Sequence, residues 1–452
     1  MKKLLFLIAV NLVIIHIIPA QTSFYAMDNS QSTGDNAIVR SWDNGNAAIT
    51  YYEVGLKRYV QYVNYTTGDS YRSAAPDSVQ ILDMYIFNDT VYYCGYSVLD
   101  PGGRGVVGYF DPSDFYSLSG QVNFKTLPVP PLTHVRKLVV QKTETGEIEA
   151  IAIGEHKWYD TVFDVNGHVT QLIPRINRHL LFCRDMSISN VEYDTVLVLS
   201  DEHYYDVLLT NDYVVFVGMC TYLTTNMICL RATRRDMTDP SVWQLFDIYA
   251  YPTGVDEVYS AMHSTSMNND RIATAYMHIN TSTGDISNRI RVFDISTKLM
   301  TSSQEYFVGD KSELMDIVYI PKDNSLVCLH DFVTPSTSYN SNFVYLNPAA
   351  TADYLTNIEY IKSVFFKSLT GKGIYHYLVS HGPTWFMKDK TNVATYPRPE
   401  CPQKEKYDIM VLDNVVNINT NIPLPHTRNT ELKFPDRKDA APRYVDMICN
   451  NP

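Results

Sequence analysis

The sequence predicts an all-β fold built from repeated antiparallel sheets. Hydrophobic residues make up 45% of the 452 residues and charged residues only 19%, while tyrosine alone occurs 34 times. Aromatic and β-branched side chains fit the pleated, half-buried surface of a sheet. Apolar alternation recurs along the chain between turn residues, and no long apolar segment has the 3.6-residue period of a helix.

The first element is a secretory signal peptide over residues 1–20. Two lysines precede an apolar stretch that ends in the cleavage-site pattern Ile18–Ala20 before Gln21. Asn11 and His16 interrupt the stretch, which is shorter than the roughly 20 residues of a membrane span. No cysteine for a lipoprotein anchor lies near the cleavage site. We therefore expect a secreted or periplasmic protein that does not span a membrane after cleavage, with residues 21–452 as one domain.

The charge balance excludes one class of partner. Cleavage would lower the 37 basic residues to 35 against 49 acidic ones, a net charge of −14. Such a surface repels phosphate backbones, and no dense Lys/Arg stripe offsets it. We therefore expect no nucleic-acid partner.

Seven cysteines predict at most a few disulfides and no metal site. Cys401 and Cys449 lie in irregular segments near the end of the chain and are the best candidates for a disulfide, and Cys220–Cys229 across a hairpin is a weaker one. There is no CxxC pair and no Cys/His set with zinc spacing, so the sequence predicts neither a metal nor a cofactor.

A repeated hairpin is the most informative pattern. Residues 82–95 read LDMYIFNDTVYYCG and residues 205–218 read YDVLLTNDYVVFVG, with Asp, Asn-Asp and Gly at the same places and an offset of 123 residues. A third copy begins at Met315, and weaker turns lie at 43–46, Thr145-Gly146, Asn269-Asp270 and Thr370-Gly371. Alternating apolar residues around an Asn/Asp/Gly turn are typical of a β-hairpin.

The seven turns recur about every 54 residues, a period typical of repeat folds made of strands. One hairpin and two further strands account for each period, so we predict a β-propeller of seven four-stranded blades. Six or eight blades, and a pair of β-sandwiches, remain alternatives. The Pro-containing segment 391–452 is expected to close or cover the ring, tied by the Cys401–Cys449 pair.

Three repeated acids are the candidate site residues. Asp83, Asp206 and Asp316 occupy the same place in the three hairpins and would recur around the ring. They could bind a ligand at a channel mouth, or each could brace its blade by accepting backbone N–H groups. Residues repeated with a fold mostly serve the fold, which favours the brace.

Other motifs are weaker. The GxGxxG match at 103–108 lacks a following helix and is interpreted as a glycine-rich turn. The cluster Asp201-Glu202-His203 is expected to be a solvated loop. No catalytic motif is found.

The NDTVYYCG-type hairpin after a secretory signal resembles the uncharacterised secreted β-propeller proteins of Gram-negative gut anaerobes, over roughly residues 38–390. That group has no agreed activity, so the resemblance implies a fold and a location. We expect a binding or interaction module whose ligand is a glycan or a cell-envelope protein. The alternative is a carbohydrate-active enzyme, hydrolase or lyase, with its active site at the propeller centre.

Overall fold

The computed structural model has an all-β fold. It describes residues 22–26, 38–42, 47–54, 57–64, 69–100, 102–117, 121–165, 168–186, 190–198, 202–222, 225–236, 246–250, 257–280, 282–284, 286–306, 312–321, 324–333, 339–346, 355–362, 368–372, 376–381, 384–389, 403–408, 410–411, 426–432, 434–435, 440–444 and 446–451. These ranges contain 34 strands, one short 3-10 helix at Pro112–Tyr116 and no α-helix.

In chain order the strands are β1 (Thr22–Ala26), β2 (Ile38–Ser41), β3 (Ala47–Val54), β4 (Lys57–Asn64), β5 (Asp69–Ala74), β6 (Val79–Phe87), β7 (Thr90–Ser97), β8 (Arg104–Phe110), β9 (Lys125–Pro128), β10 (His134–Lys142), β11 (Ile148–Phe163), β12 (Val169–Arg184), β13 (Asn190–Leu197), β14 (Glu202–Leu209), β15 (Tyr213–Tyr222), β16 (Thr225–Arg234), β17 (Phe246–Ala250), β18 (Glu257–Met267), β19 (Arg271–Asn280), β20 (Ile286–Asp294), β21 (Leu299–Tyr306), β22 (Ser312–Ile320), β23 (Ser325–Val333), β24 (Tyr339–Leu346), β25 (Leu355–Lys362), β26 (Ser368–Lys372), β27 (His376–His381), β28 (Thr384–Asp389), β29 (Gln403–Asp408), β30 (Met410–Val411), β31 (His426–Leu432), β32 (Phe434–Pro435), β33 (Ala440–Tyr444) and β34 (Asp446–Asn451).

The described strands form seven antiparallel sheets. Sheets 1 to 6 each take four consecutive strands, from β2–β5 to β22–β25, and sheet 7 contains β26, β27 and β28 followed by β1 from the other end of the chain. The first strand of each sheet contacts the first strand of the next sheet, and β26 contacts β2. Pairing of β1 with β28 therefore joins the two ends of the domain in one sheet.

The described strands of the C-terminal segment extend the outer edges of six sheets. Strands β29, β30, β31, β32, β33 and β34 pair in turn with β25, β21, β13, β9, β5 and β1, so the segment visits the sheets in reverse order. A fifth strand covers backbone groups that an outer edge would otherwise expose to other chains. The predicted partner Cys401 lies outside the described residues, and nothing is described of the Cys449 side chain in β34, so their disulfide stays a prediction.

Hydrophobic clusters fill the spaces between neighbouring sheets. In the described part, one cluster lies between each successive pair from sheets 1 and 2 to sheets 5 and 6. Side chains of β7 alternate between two of these clusters. Val91 and Tyr93 pack towards sheet 1, whereas Tyr92 and Cys94 pack towards sheet 3. A strand period of two thus buries both faces of a sheet.

The repeated hairpins are the first two strands of sheets. Those around Asn88-Asp89, Thr145-Gly146, Asn211-Asp212 and Asn269-Asp270 join β6 to β7, β10 to β11, β14 to β15 and β18 to β19. One predicted turn was wrong: Thr370-Gly371 lies within β26. Gly371 pairs there with Tyr377, so the chain continues as strand past the glycine.

A β-bulge explains the glycine that ends the repeat. The β6–β7 register shifts between Ile81 and Asp83, and Gly95 lies opposite Ile81. A Cβ atom on Gly95 would overlap the carbonyl oxygen of Gln80, so the bulge needs a residue without a side chain there. Gly218 lies opposite Tyr204 at the same bulge in sheet 4.

The predicted Cys220–Cys229 disulfide is wrong. Both cysteines are free and buried. Cys220 pairs with Met227, and Cys229 pairs with Gly218, so the two residues do not lie opposite each other. Cys94, Cys183 and Cys328 are likewise buried outside any disulfide, as small core side chains.

Candidate functional site

A cavity of about 860 Å³ lies where the first strands of sheets 1 to 6 meet. In sheets 2 and 4 its lining begins at Asp83 and Asp206 and continues along the strand to the turn residues Asn88 and Asn211. Asp316 of β22 lines the same cavity. The fold thus brings the three predicted site residues together. Each lies within the first strand of its sheet, at the β-bulge, and not before that strand begins.

Cationic or titratable residues occupy the matching positions of the intervening sheets. Lys137 follows the bulge of β10, and His263 follows the bulge of β18. Arg40 of β2 reaches Asp83 from sheet 1. The six positions therefore alternate in chemistry around the cavity, and we call them the charged series: Arg40, Asp83, Lys137, Asp206, His263 and Asp316.

Asp83 is held from both sides. The Arg40 guanidinium donates to Asp83 Oδ1 and also to the carbonyl oxygen of Met84, the latter at 2.8 Å. On the other side, the backbone N–H of Leu138 in sheet 3 donates to Asp83 Oδ2 at 3.3 Å. One carboxylate thereby links sheets 1, 2 and 3.

Asp206 repeats this arrangement two sheets further on. Lys137 Nζ lies 3.4 Å from Asp206 Oδ1, and the backbone N–H of Ser264 donates to Oδ2 at 2.8 Å. The Asp206 side chain is only 8% exposed. The donors Leu138 and Ser264 directly follow Lys137 and His263 of the charged series. Asp83 and Asp206 therefore satisfy backbone N–H groups on the inner edges of neighbouring first strands.

Asp316 is the more open member of the three. Its Oδ1 accepts the Ile317 N–H at 2.9 Å and lies 3.9 Å from His263 Nδ1 of sheet 5. The Asp316 and His263 side chains are 21% and 27% exposed. Asp316 and Asp206 both line the cavity, and the Asp316 side chain is the more exposed of the two.

Burial and neighbouring charge set the ionisation of the series. Burial alone would lower the pKa of Lys137, but Asp206 and Asp83 outweigh it and raise that pKa above its usual value. Burial would likewise lower the pKa of Arg40, and Asp83 and Asp316 raise it. Burial raises the pKa of Asp206, which Lys137 and His263 offset only in part. The side chains of Lys137 and Arg40 are therefore cations at neutral pH.

The cavity wall is mainly polar and is tied together by hydrogen bonds. Arg235 donates to Gln141 Oε1 at 2.9 Å and to the carbonyl oxygen of Thr210 at 3.0 Å, which joins sheets 3 and 4. Ser41, Asn88, Asn211, Ser264, Ser266 and Asn268 supply further hydroxyl and amide groups, and Tyr85 and Tyr319 border the cavity with their rings packed into the clusters between sheets. Such a surface can bind a polyhydroxylated molecule through many weak polar contacts.

A second polar cluster lies at the other ends of the first strands in sheets 3 and 4. Glu155 is paired with Arg136 at 2.8 Å and with Lys157 at 3.2 Å. His134 and His203 stand beside it, and burial is the main cause that lowers the pKa of each imidazole to about 4. These histidines are neutral at pH 7.

The interpretation of Asp201-Glu202-His203 as a solvated loop was wrong for its last two residues. Both belong to β14, and Glu202 is 5% exposed. The Arg231 guanidinium donates to both Glu202 carboxylate oxygens at 3.0 Å. Asp201 lies outside the described residues. Arg231 stands 29 residues away, so this pair leaves no local signal in the sequence.

Sequence reasoning also missed Arg40, Lys137 and His263. Lys137 and His263 follow a bulge as the repeated acids do, and Arg40 lies in a strand whose described register has no bulge. A search for a repeated Asp passes over all three, because none of them is an acid. Aligning strands by the bulge would have found Lys137, because Arg136-Lys137-Leu138 matches Leu82-Asp83-Met84 in position.

Other sequence motifs carry no separate site. The interpretation of the GxGxxG match at 103–108 as a turn was wrong for residues 104–108, which lie in β8; no helix follows them among the described residues until Pro112–Tyr116. In the part of the chain that the structure describes, no group of three or more His, Cys, Asp or Glu side chains could hold a metal ion. None of the described helical residues belongs to a helix long and apolar enough to cross a membrane.

Comparison with protein-family models and with curated protein sequences finds no match to this chain.

Proposed function

We propose that the seven sheets are the blades of a seven-bladed β-propeller. The contacts between first strands, which run from sheet 1 to sheet 7 and return from β26 to β2, support this arrangement. The recurring order of four antiparallel strands and the addition of β1 to sheet 7 also support it. In a propeller the first strands line a central channel, which is where the charged series would lie.

We propose that this propeller is exported and binds a glycan in its central cavity. The observation that carries the proposal is the cavity itself: about 860 Å³ of space lined by hydroxyl, amide and charged groups from six sheets, interspersed with apolar residues. This volume is within the range of small-molecule sites. Sugars present hydroxyl groups and apolar ring faces, which amides, charges and apolar residues complement.

The charged series acts in this proposal as a brace that shapes the cavity. Asp83 and Asp206 each use one oxygen for a cation of the preceding sheet and the other for an N–H of the following sheet. Their carboxylates are thus occupied by the protein. Among the three acids, Asp316 is the most exposed, at 21%, and is the one best placed for contact with a ligand.

A carbohydrate-active enzyme is the second candidate, because burial raises the pKa of Asp206. A raised carboxyl pKa is a property of the general acid in glycosidases. Against this role, the Asp206 side chain is 8% exposed and already engages Lys137 and Ser264. An acid in that position has little access to a glycosidic oxygen, so binding without hydrolysis is the better-supported function.

Calorimetric titration of the protein with a panel of defined oligosaccharides tests the proposal. We expect Ser266→Trp, which fills the cavity, to abolish binding, and Ser282→Trp, in an exposed turn of the same sheet, to leave it unchanged. An oligosaccharide recovered intact supports a binding module, whereas shorter products support the enzyme. If no glycan binds, the glycan proposal fails and a cell-envelope protein becomes the ligand to seek. Export is tested separately, by a mature N-terminus at Gln21 in the native protein.

A further inference from the structure

The long hairpin of sheet 3 extends well beyond its sheet. Strands β11 and β12 each contain 16 residues. Strand β10 pairs with β11 only as far as Glu155, and β13 pairs with β12 only from His179. Residues 156–163 and 169–177 therefore pair with each other and with no other described strand, and we call them the arm. At about 3.3 Å per residue the arm is roughly 25 Å long.

One face of the arm is apolar and exposed. Register pairs Lys157 with Ile176, Tyr159 with Pro174, Thr161 with Leu172 and Phe163 with Val169, and residues opposite each other share a face. Five large side chains on this face are between 44% and 63% exposed: Tyr159, Phe163, Val169, Leu172 and Ile176. Together they form an apolar patch of roughly 500 Å², a size that often marks an interaction site on a soluble protein.

The opposite face of the arm carries polar side chains that pair with each other, beside the apolar Trp158, Val162 and Ile173. Arg175 Nε donates to Asp160 Oδ2 at 2.7 Å, and Trp158 Nε1 donates to Asp160 Oδ1 at 3.2 Å. Large apolar side chains on the first face are the more exposed ones, as on the side of a sheet that packs against a second layer. A two-stranded hairpin alone is marginally stable in water, so a second layer would also stabilise the arm.

We propose that the arm is a dimerisation element whose apolar face packs against the same face of a second copy of this chain. Two copies would bury roughly 1,000 Å² in total, the lower limit for a specific protein interface. Between Tyr159 and Val169 the apolar face carries no charged side chain, so the two faces can meet without opposing charges in a chain of net charge −12. Lys157, at the base of that face, is engaged by Glu155 at 3.2 Å.

The free edges of the arm argue for a protein partner over a bilayer. The Lys157 N–H at the base of the arm donates to Thr133 Oγ1 at 3.0 Å, and no described strand pairs with the N–H and C=O groups on the outer edges of the arm beyond it. Hydrocarbon does not tolerate an open sheet edge, whereas a protein interface leaves these groups in contact with water. Two arms packed face to face leave all four edges hydrated.

Sedimentation velocity of the full chain over about 1–100 μM tests this inference. We expect a dimer for the wild-type protein and at least a tenfold rise in its dissociation constant for Leu172→Asp, which would bury a charge in the interface. The matched control is Val162→Asp, because Val162 is 38% exposed on the opposite face of the same arm. This variant should dimerise like the wild type.

A milder second variant, Phe163→Ser, keeps the test independent of any folding defect. Thermal unfolding of all variants should match the wild type at concentrations below the dimer dissociation constant, where association adds no stability, because the arm lies outside the sheet contacts. A wild-type protein that stays monomeric at 100 μM overturns the proposal. So does a dimer that Leu172→Asp and Phe163→Ser leave intact. Neither result bears on glycan binding in the cavity.

Discussion

Replacing Lys137 by methionine tests whether the charged series is a brace. Lys137 Nζ is 3.4 Å from Asp206 Oδ1 and its side chain is 29% exposed, whereas the Asp206 side chain is 8% exposed. In Lys137→Met the Asp206 carboxylate keeps the Ser264 N–H at 2.8 Å but loses its cation. The buried charge is then uncompensated.

The structure sets both the size and the limit of the effect. Removing one partner of a buried ion pair costs about 3–5 kcal/mol. Asp206 can escape this penalty by taking up a proton. Protonating a carboxyl group whose ordinary pKa is 3.8 requires roughly 4 kcal/mol at pH 7, which sets an upper limit on the loss. We therefore expect a loss of about 3 kcal/mol in the free energy of unfolding at pH 7.

The pH dependence distinguishes this mechanism from lost packing. In the variant, the pKa of Asp206 rises further above its unfolded value, so the folded protein binds a proton that the unfolded chain lacks. The deficit relative to wild type should then shrink by up to about 1.4 kcal/mol per pH unit as pH falls below the raised pKa. Urea unfolding of both proteins between pH 7 and pH 5 measures it.

Two further variants complete the test. Lys157→Met is the matched control, because Lys157 is 31% exposed and its partner Glu155 keeps Arg136 at 2.8 Å. It should cost less than about 1 kcal/mol. Lys137→Met combined with Asp206→Asn removes both charges and should recover most of the loss. A deficit that is independent of pH, or one that Asp206→Asn deepens, refutes the reasoning.

Three other predictions follow from packing and titration. Gly218→Ala should destabilise the protein by more than about 2 kcal/mol in urea unfolding, because its Cβ would overlap the backbone oxygen of His203 at the bulge; a loss below 0.5 kcal/mol on the same scale would contradict this. Burial lowers the pKa of His134 and His203 to about 4 in the folded protein. Stability should therefore fall as pH drops from about 6.5 to 4, by roughly 1 kcal/mol for each of these half-exposed rings. A variant with glutamine at both positions should show a flatter dependence of stability on pH. Arg231→Met should cost about 3 kcal/mol by leaving Glu202 buried without its bidentate partner, and adding Glu202→Gln should restore part of it; no recovery in the double variant would locate the loss in packing.

Local features of this fold could be predicted from the sequence, but few of the contacts between residues distant in the chain could. Alternating apolar residues and Asn-Asp turns predicted hairpins that are the first two strands of sheets, because both signals act over a few residues. Thr370-Gly371 misled because glycine is common in turns yet also tolerated in a strand. Glu202 was misassigned because its burial depends on Arg231 from a different strand.

The candidate site was predictable by position and not by chemistry. Asp83, Asp206 and Asp316 could be found because they repeat, whereas the partners of Asp83 and Asp206 come from the preceding and following sheets. Lys137 stands 69 residues before Asp206 in the chain and 3.4 Å from it in space. No local pattern encodes a distance of that kind, so the alternation of the charged series emerges only from the fold.

Features that depart from the repeat are the better guides to function. The bulge, its glycine and the charged series recur among sheets, and recurrence is what a shared structural task requires. The arm does not recur in this way: β11 and β12 have 16 residues each, against 8 to 11 in the hairpins of sheets 4 to 6 over the described strands. A hairpin that exposes Tyr159, Phe163 and Leu172 to water lowers the solubility of the free chain and adds no contact to its sheet, which supports the proposal that its apolar face packs against a second copy.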